Sequence, residues 1–168
     1  MVDISSNEKK GIVFLGVARI MLGFMFLWAF FDKLLGLGMP STYEAGIIHG
    51  GSPTEYYLTY LVDGPFANVW NALAGNALVD FMLMFGLLAV GITMILGIAS
   101  KLSTIGFVTM CILMYTLNMP PSDNPLIDYH LLYAVVGLAV YYLDGYSILG
   151  LEDKWKETKL VKVIPLMK

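Results

Sequence analysis

Residues 11–31 form an apolar stretch that constrains the fold of this chain more than any other segment. The stretch, GIVFLGVARIMLGFMFLWAFF, contains a single charged residue, Arg19. As a helix its 21 residues are long enough to cross a hydrocarbon core of roughly 30 Å. It lacks the polar face of a helix on a soluble protein. We therefore predict a transmembrane helix, since only structures that satisfy their own backbone groups cross lipid.

The composition supports an integral membrane protein. Hydrophobic residues make up 58% of the chain and charged residues only 14%, whereas soluble domains average about 25% charged residues. The net charge of −3 and the lack of a basic run argue against nucleic acid as a partner. The single cysteine, Cys111, excludes an internal disulfide, and its apolar surroundings are typical of a packing residue.

Three further apolar stretches, at about residues 76–98, 102–118 and 126–146, predict three more transmembrane helices. The first helix is too long for a signal peptide and is expected to stay. Short connections between the later helices predict antiparallel neighbours. The predicted fold class is an all-α membrane protein, one domain over residues 1–168, built as a four-transmembrane-helix antiparallel up-down bundle. Gly86, Gly91 and Gly97 would permit close contact with another helix of this chain or of a second copy.

A long connection, residues 32–75, separates the first two predicted helices on the outer side. The tetrapeptide at 52–55, Ser-Pro-Thr-Glu, resembles a capping box and predicts a short helix over residues 53–62. Its tyrosines, with Trp70, indicate either an anchor in the lipid headgroup region or a lid over a lipid-soluble ligand. At the other end of the chain, the lysine-rich tail of residues 149–168 predicts an amphipathic helix on the membrane surface.

Lysine distribution predicts the orientation. Eight lysines fall on the side of the two termini and the second turn, whereas only Lys33 falls on the other side. The lysine-rich side is expected to be cytoplasmic, which gives a multi-pass protein of the cell membrane with both termini inside. The outer side then collects seven acids: Asp32, Glu44, Glu55, Asp63, Asp80, Asp123 and Asp128.

Lys33, Asp80 and His130 are the candidate catalytic residues, because each lies near the outer end of a predicted helix. Imidazole exchanges protons near neutral pH, so His130 could serve as a proton donor to a quinone. Tyr129 and Tyr133 could supply a stacking surface for the quinone head. The alternative is structural: Lys33 pairs with Asp80 or Asp32 to seal the end of the bundle, and His130 caps a turn.

Arg19 is expected to face the protein interior, because a charge at that depth costs about 2.5–3.5 kcal/mol on insertion scales. It needs an acidic or carbonyl partner, and Asp144 is the candidate. Structural pairing and contact with a quinone head or a lipid phosphate are both open.

Motifs for metals and other cofactors are missing from the sequence. His49 and His130 are the only histidines, and no C-x-x-C-H haem motif accompanies them. The chain also has no G-x-G-x-x-G, P-loop or nucleophile-elbow motif. We therefore predict no metal or haem site.

Three strings along the chain carry a family resemblance. Arg19, Gly23 and Lys33 follow one another in ARIMLGFMFLWAFFDKLLG, and glycines punctuate FGLLAVGITMILGIASKLS. The third string is NPLIDYHLLYAVVGLAVYYLDGYSILGLEDKW. In this order the strings resemble the DoxX/DoxD family of small four-helix membrane proteins, and the third is most similar to its DoxD branch. The likeness covers nearly the whole chain.

This resemblance implies a membrane subunit of a thiosulfate:quinone oxidoreductase. Such a subunit works with a second small subunit, oxidises thiosulfate to tetrathionate on the outer side and passes electrons to membrane quinone. The residues raise an objection, because thiosulfate is a dianion and the outer side is acidic. The alternative is therefore a non-catalytic accessory subunit of a larger membrane complex. Lipid is a partner in either case.

Overall fold

The structure, a computed structural model, describes residues 6–122, 124–164 and 167. These residues form helices, turns and loops, and no strand occurs among them. Residues 1–5, 123, 165, 166 and 168 lie outside the described residues, and they include Asp123 and Lys168 of the predicted charge distribution. The helices are α1 Ser6–Leu35, α2 Glu55–Tyr60, α3 Ala67–Asn71, α4 Ala77–Leu96, α5 Ser100–Leu117, α6 Tyr129–Tyr142, α7 Glu152–Lys156 and α8 Lys159–Val163.

Three of these helices are long and apolar enough to cross a membrane. They are the part of α1 from Lys10 to Leu35, α4 and α5, and the apolar helix α6 is shorter, at 14 residues. The chain therefore has the helices of a multi-pass membrane protein.

The helix bounds differ from prediction mainly in α1, α6 and the tail. Helix α1 starts before the apolar stretch and includes Asp32 and Lys33 in its last turns. Helix α6 is shorter than predicted because Asp128 is its N-cap, accepting a hydrogen bond from the Leu131 N–H at 2.9 Å, while Asp144 adopts a left-handed φ of 57° beyond its end. The tail forms two helices of five residues each, α7 and α8, rather than one.

Side-chain caps explain where α2 and α4 begin. The Asn76 side chain accepts hydrogen bonds from the N–H groups of Leu78 and Val79, so α4 starts one residue later than predicted. At α2, Ser52 Oγ accepts from the Glu55 N–H at 3.1 Å, which is the contact a capping box provides. The helix itself begins at Glu55, two residues after the predicted start.

Close packing of antiparallel neighbours holds the long helices together. A Cβ on Gly23 would lie 2.8 Å from the Cβ of Met94, and one on Gly91 would lie 2.8 Å from the Leu27 nitrogen. Helices α1 and α4 therefore touch through their backbones. The other glycines of α4 also pack within the chain: Gly86 faces Met110 of α5, and Gly97 faces Arg19 and Tyr146. Small residues thus serve contacts inside this chain.

The connection between α1 and α4 folds over the start of α4 and the end of α5. Leu58 and Val62 are buried against Leu117 at the end of α5, with Trp70 packed beside them. Most tyrosines of α2 remain on the surface, since Tyr56 and Tyr60 are 62% and 70% exposed. Tyr57 instead donates a hydrogen bond to Asn118 Oδ1 at 2.8 Å.

Candidate functional site

Arg19 is fully buried, and its guanidinium is saturated with backbone partners. Nε donates to the Gly145 carbonyl at 3.1 Å, and one terminal nitrogen donates to the Ile148 and Leu149 carbonyls at 3.0 Å each. The other terminal nitrogen donates to the carbonyls of Met94 and Ile95. A guanidinium has five N–H donors, so none is left for a ligand.

These contacts complete the end of α4. The last four carbonyls of a helix have no partner within the helix. Here Arg19 binds two of them, the Thr93 carbonyl accepts from the Ile98 N–H, and the Leu96 carbonyl accepts from the Leu151 N–H. The negative end of the helix dipole also favours a cation at this position. Arg19 therefore joins α1 to the end of α4 and to the segment after α6.

Asp144 was the wrong partner for Arg19. The five acceptors of the guanidinium are carbonyl oxygens, whereas Asp144 is exposed and accepts a hydrogen bond from Ser147 Oγ at 3.2 Å. Carbonyls compete well here because two helical segments end around α1, which concentrates unpaired backbone acceptors.

Glu152 is a second buried charge near Arg19. Its side chain is fully buried, neither carboxylate oxygen accepts a hydrogen bond, and Lys156 Nζ lies 3.5 Å from Oε1. Its charge acts on Arg19, as does the ring of Tyr146, whose centroid lies 5.7 Å from the guanidinium carbon. Glu152 is thus a buried carboxylate whose charge acts on Arg19 and whose ion-pair partner is Lys156. In the sequence, Glu152 is an acid in the lysine-rich tail, and no motif indicated that it would lie near Arg19.

At the N-terminal end of α6, His130 pairs with Asp128. Nδ1 of His130 lies 2.6 Å from Asp128 Oδ2, while Oδ1 of the same carboxylate caps α6. The side chains are 16% and 7% exposed, so the pair is shielded but reaches the surface. Asp128 fixes the ring orientation through Nδ1, and the other ring nitrogen, Nε2, is not used in this pair.

Tyr129 and Tyr133 surround this pair with aromatic rings. The Tyr129 ring centroid lies 4.1 Å from that of His130 and 5.7 Å from that of Tyr133. Tyr129 is 58% exposed, whereas Tyr133 packs against the core cluster around Phe107 and Cys111. The group therefore places an exposed aromatic ring next to the imidazole of His130.

Asp32 and Lys33 lie at the outer end of α1. Asp32 is fully buried, and its two carboxylate oxygens accept from the N–H groups of Met39 and Ser41, each at 2.9 Å. It shapes the loop that follows α1. Lys33 is half-buried and interacts electrostatically with Asp32.

Asp80 binds the outer connection rather than Lys33. Thr54 Oγ1 donates to Asp80 Oδ1 at 2.5 Å and accepts from the Gly75 N–H at 3.3 Å. Thr54 is buried, so it ties the start of α2 to the start of α4. The capping-box motif contains this threonine, but nothing in the motif identifies Asp80 as its partner.

The three candidate catalytic residues predicted from the sequence thus make separate contacts. In the described part of the chain, no hydrogen bond or ion pair joins Lys33, Asp80 and His130 to one another. His130 lies with Tyr129 and Tyr133, whereas Asp80 lies with Thr54. Nor do three metal-binding side chains gather anywhere among residues 6–122, 124–164 and 167.

Comparison with known proteins gives no match, so a role for this chain is assigned from the contacts described above. No protein-family model, no curated protein and no solved structure matches this chain.

Proposed function

We propose that this chain is a membrane subunit of a quinone-linked oxidoreductase, with His130 exchanging protons with a quinone near the outer end. One observation carries the proposal: His130 is held by Asp128 at 2.6 Å beside the exposed ring of Tyr129. A proton-exchanging nitrogen next to an open aromatic face is what quinone chemistry at a membrane surface requires.

The proposed topology is a four-helix up-down bundle formed by α1, α4, α5 and α6. Close contacts support it, since Gly23 of α1 meets Met94 and Leu27 meets Gly91, and Phe107 of α5 meets Gly137 of α6. The described lysines other than Lys33 fall at one end of this arrangement, which supports a cytoplasmic location for that end and for both termini.

His130 carries the proton step. Reduction of a quinone takes up two electrons and two protons: His130 gives one proton from Nε2 to a quinone oxygen, takes up another from the aqueous side and gives it to the second oxygen. Asp128 keeps the ring in place through its contact with Nδ1. A positioned acid or base of this kind contributes about 10²–10⁴-fold to a rate. The open face of Tyr129 would stack on the flat quinone head, with Tyr133 supporting that ring from behind.

The electron donor is assigned to a partner. Oxidation of two thiosulfate ions to one tetrathionate supplies the two electrons, as the resemblance to DoxD implies. Thiosulfate is a dianion, and the described outer acids would repel it within a Debye length of roughly 8 Å at physiological salt. We therefore place the thiosulfate site on a second small subunit.

The test compares two histidine variants of the chain, assembled with its partner in lipid nanodiscs. His130→Gln should reduce thiosulfate-dependent quinone reduction by about 10²-fold or more, because the proton donor is lost. His49→Gln is the matched control: His49 lies in the outer connection, stacked on Tyr43 at 3.7 Å, and its loss should leave the rate unchanged. Equal rates for the two variants would remove His130 from the mechanism, and no rate in the native assembly would remove the reaction.

A second candidate is a non-catalytic accessory subunit of a larger membrane complex. It is favoured by the contacts of Arg19 and Asp80, because both side chains are already bound within the chain. It predicts that the complex purified in mild detergent keeps full activity after His130→Gln. Isolation of this chain as a lone, active protein would contradict it.

A further inference from the structure

The segment that follows α6 is attached to the end of α4, at the depth of a membrane surface. Helix α4 has 20 residues, so it rises about 30 Å, the thickness of a hydrocarbon core. Its last carbonyls therefore lie near the lipid headgroups when the helix spans the membrane. The Leu151 N–H donates to the carbonyls of Leu96 and Gly97 at 2.9 and 3.2 Å. These two contacts fix the start of α7 at that depth.

Helices α7 and α8, which follow Leu151, are folded rather than extended. Val161 of α8 is only 2% exposed, so one side of this short helix packs on the protein. Trp155 of α7 donates a hydrogen bond from Nε1 to the Met167 carbonyl at 2.6 Å, which ties the chain beyond α8 back to α7. The side chains of α8 therefore have defined positions relative to the end of α4.

The exposed side of α8 carries a strip of apolar side chains. Leu160, Val163 and Ile164 are 44%, 78% and 43% exposed. Their spacing of three and four residues places them on one face of the helix. At headgroup depth, such a strip is stabilised when it enters the boundary between the headgroups and the acyl chains.

Two lysines lie beside this strip and have positive charge to offer. Lys159 and Lys162 are exposed and one helical turn apart. Among the residues that the structure describes, neither ammonium group has an ion-pair partner. Lys156 differs, because its Nζ lies 3.5 Å from the buried carboxylate of Glu152. Lys159 and Lys162 are therefore the lysines of the tail best placed to meet an external anion.

We propose that α8 binds anionic phospholipids, with Lys159 and Lys162 contacting the lipid phosphates while Leu160, Val163 and Ile164 enter the acyl-chain boundary. Positive charge beside an apolar strip complements a lipid with a negative headgroup, whereas a free phosphate ion would leave the strip in water. The proposal goes beyond a helix on the membrane surface, because it names the class of lipid and the residues that select it. It depends neither on a quinone nor on the orientation of the chain.

The experiment measures which lipids the full-length chain retains in detergent. The protein is mixed with equal amounts of phosphatidylglycerol and phosphatidylcholine, and native mass spectrometry gives the affinity for each. Native protein should prefer phosphatidylglycerol. Each lysine near an anionic surface strengthens binding about fivefold, so Lys159→Gln with Lys162→Gln should reduce that preference about 10- to 25-fold. Arginine at both positions should preserve it, because the charge is kept and guanidinium also binds phosphate.

An acid in the same tail provides a control of opposite sign. Glu157 is exposed at the end of α7, and Glu157→Gln should raise the preference for phosphatidylglycerol because it removes a repelling charge. A loosened tail would instead lower it in both charge variants. Leu160→Ser should weaken the binding of both lipids alike, since the apolar strip does not distinguish headgroup charge.

Three results would overturn the proposal: an unchanged preference in the folded double glutamine variant, a fall in preference with Glu157→Gln, or displacement of the lipid by inorganic phosphate at equal concentration. If the double variant does not fold, native protein decides. Its preference should weaken as salt shortens the Debye length, and a preference that ignores salt would contradict the role of the lysines.

None of these measurements uses a redox reaction. Failure of lipid binding would therefore leave the assignment of His130 untouched, and loss of the redox activity would leave the lipid site standing.

Discussion

The polar contacts of Arg19, at the C-terminal end of α4, and of His130, at the N-terminal end of α6, differ in how completely each side chain uses its hydrogen-bonding capacity. Every N–H of Arg19 has a carbonyl partner and the side chain is fully buried. His130 uses one ring nitrogen on Asp128 and keeps a partly exposed side chain. A buried charge whose donors all have partners stabilises the fold, whereas an accessible side chain with an unused ring nitrogen can react. Four substitutions test this difference, and all can be followed by reaction of a fluorogenic dye with the buried thiol of Cys111 on unfolding.

The largest effect is expected for Arg19→Ala. It leaves five carbonyls without their donor and removes the contact between α1 and the end of α4, so the free energy of unfolding should fall by more than about 3 kcal/mol. Thermal unfolding in detergent checks this. Arg19→Lys should lose less, because an ammonium keeps the charge and up to three donors. An unfolding temperature equal to that of native protein would contradict the stabilising role of the Arg19 contacts.

A smaller effect is expected for Gly23→Ala at the contact of α1 with α4. The new methyl group would lie 2.8 Å from the Met94 Cβ and 2.9 Å from the Ile95 nitrogen, so the helices must separate. We expect a loss of about 1–3 kcal/mol. Gly11→Ala is the control, since no atom lies within 4 Å of its Cβ position. Equal stability of both variants would mean that the contact does not determine the packing of α1 on α4.

Thr54→Val tests the structural part of the outer end. It removes the donor to Asp80 and the acceptor of the Gly75 N–H while keeping the side-chain volume. A loss of about 1–2 kcal/mol is expected. Protease cleavage of the outer connection should accelerate, because this hydrogen bond ties α2 to α4. Unchanged cleavage would contradict that role.

Asp128→Asn should have the smallest effect on stability and a clear effect on chemistry. Asparagine is also a good N-cap, so α6 should keep its start and the unfolding free energy should change by less than about 1 kcal/mol. The carboxylate that supports His130 is lost, and quinone reduction by the assembled complex should slow. An unchanged rate would assign Asp128 to capping alone.

The sequence allowed prediction of the three long apolar helices and of the short one, because their length and lack of charge leave few alternatives in lipid. It also allowed prediction of a capping residue at position 52 and of an acidic or carbonyl partner for Arg19. The identity of that partner could not be predicted. Backbone acceptors have no sequence signature, so a carboxylate such as Asp144 looks equally suitable.

The candidate catalytic site could likewise be predicted from the sequence only in part. Helix ends suggested that Lys33, Asp80 and His130 lie near one another, but the side chains of such residues extend in directions set by local loops. Asp32 turns to the loop after α1, and Asp80 turns to Thr54. The pair formed by Asp128 and His130 was not predicted, although the two residues are only two positions apart in sequence.

The 14 residues of α6 also affect the surrounding lipid. They rise about 21 Å, against about 30 Å for the 20 residues of α4. Hydrophobic mismatch of this size is relieved when acyl chains compress next to the shorter helix. The protein should therefore distort the bilayer unevenly around its circumference and favour shorter-chain lipids on the α6 side.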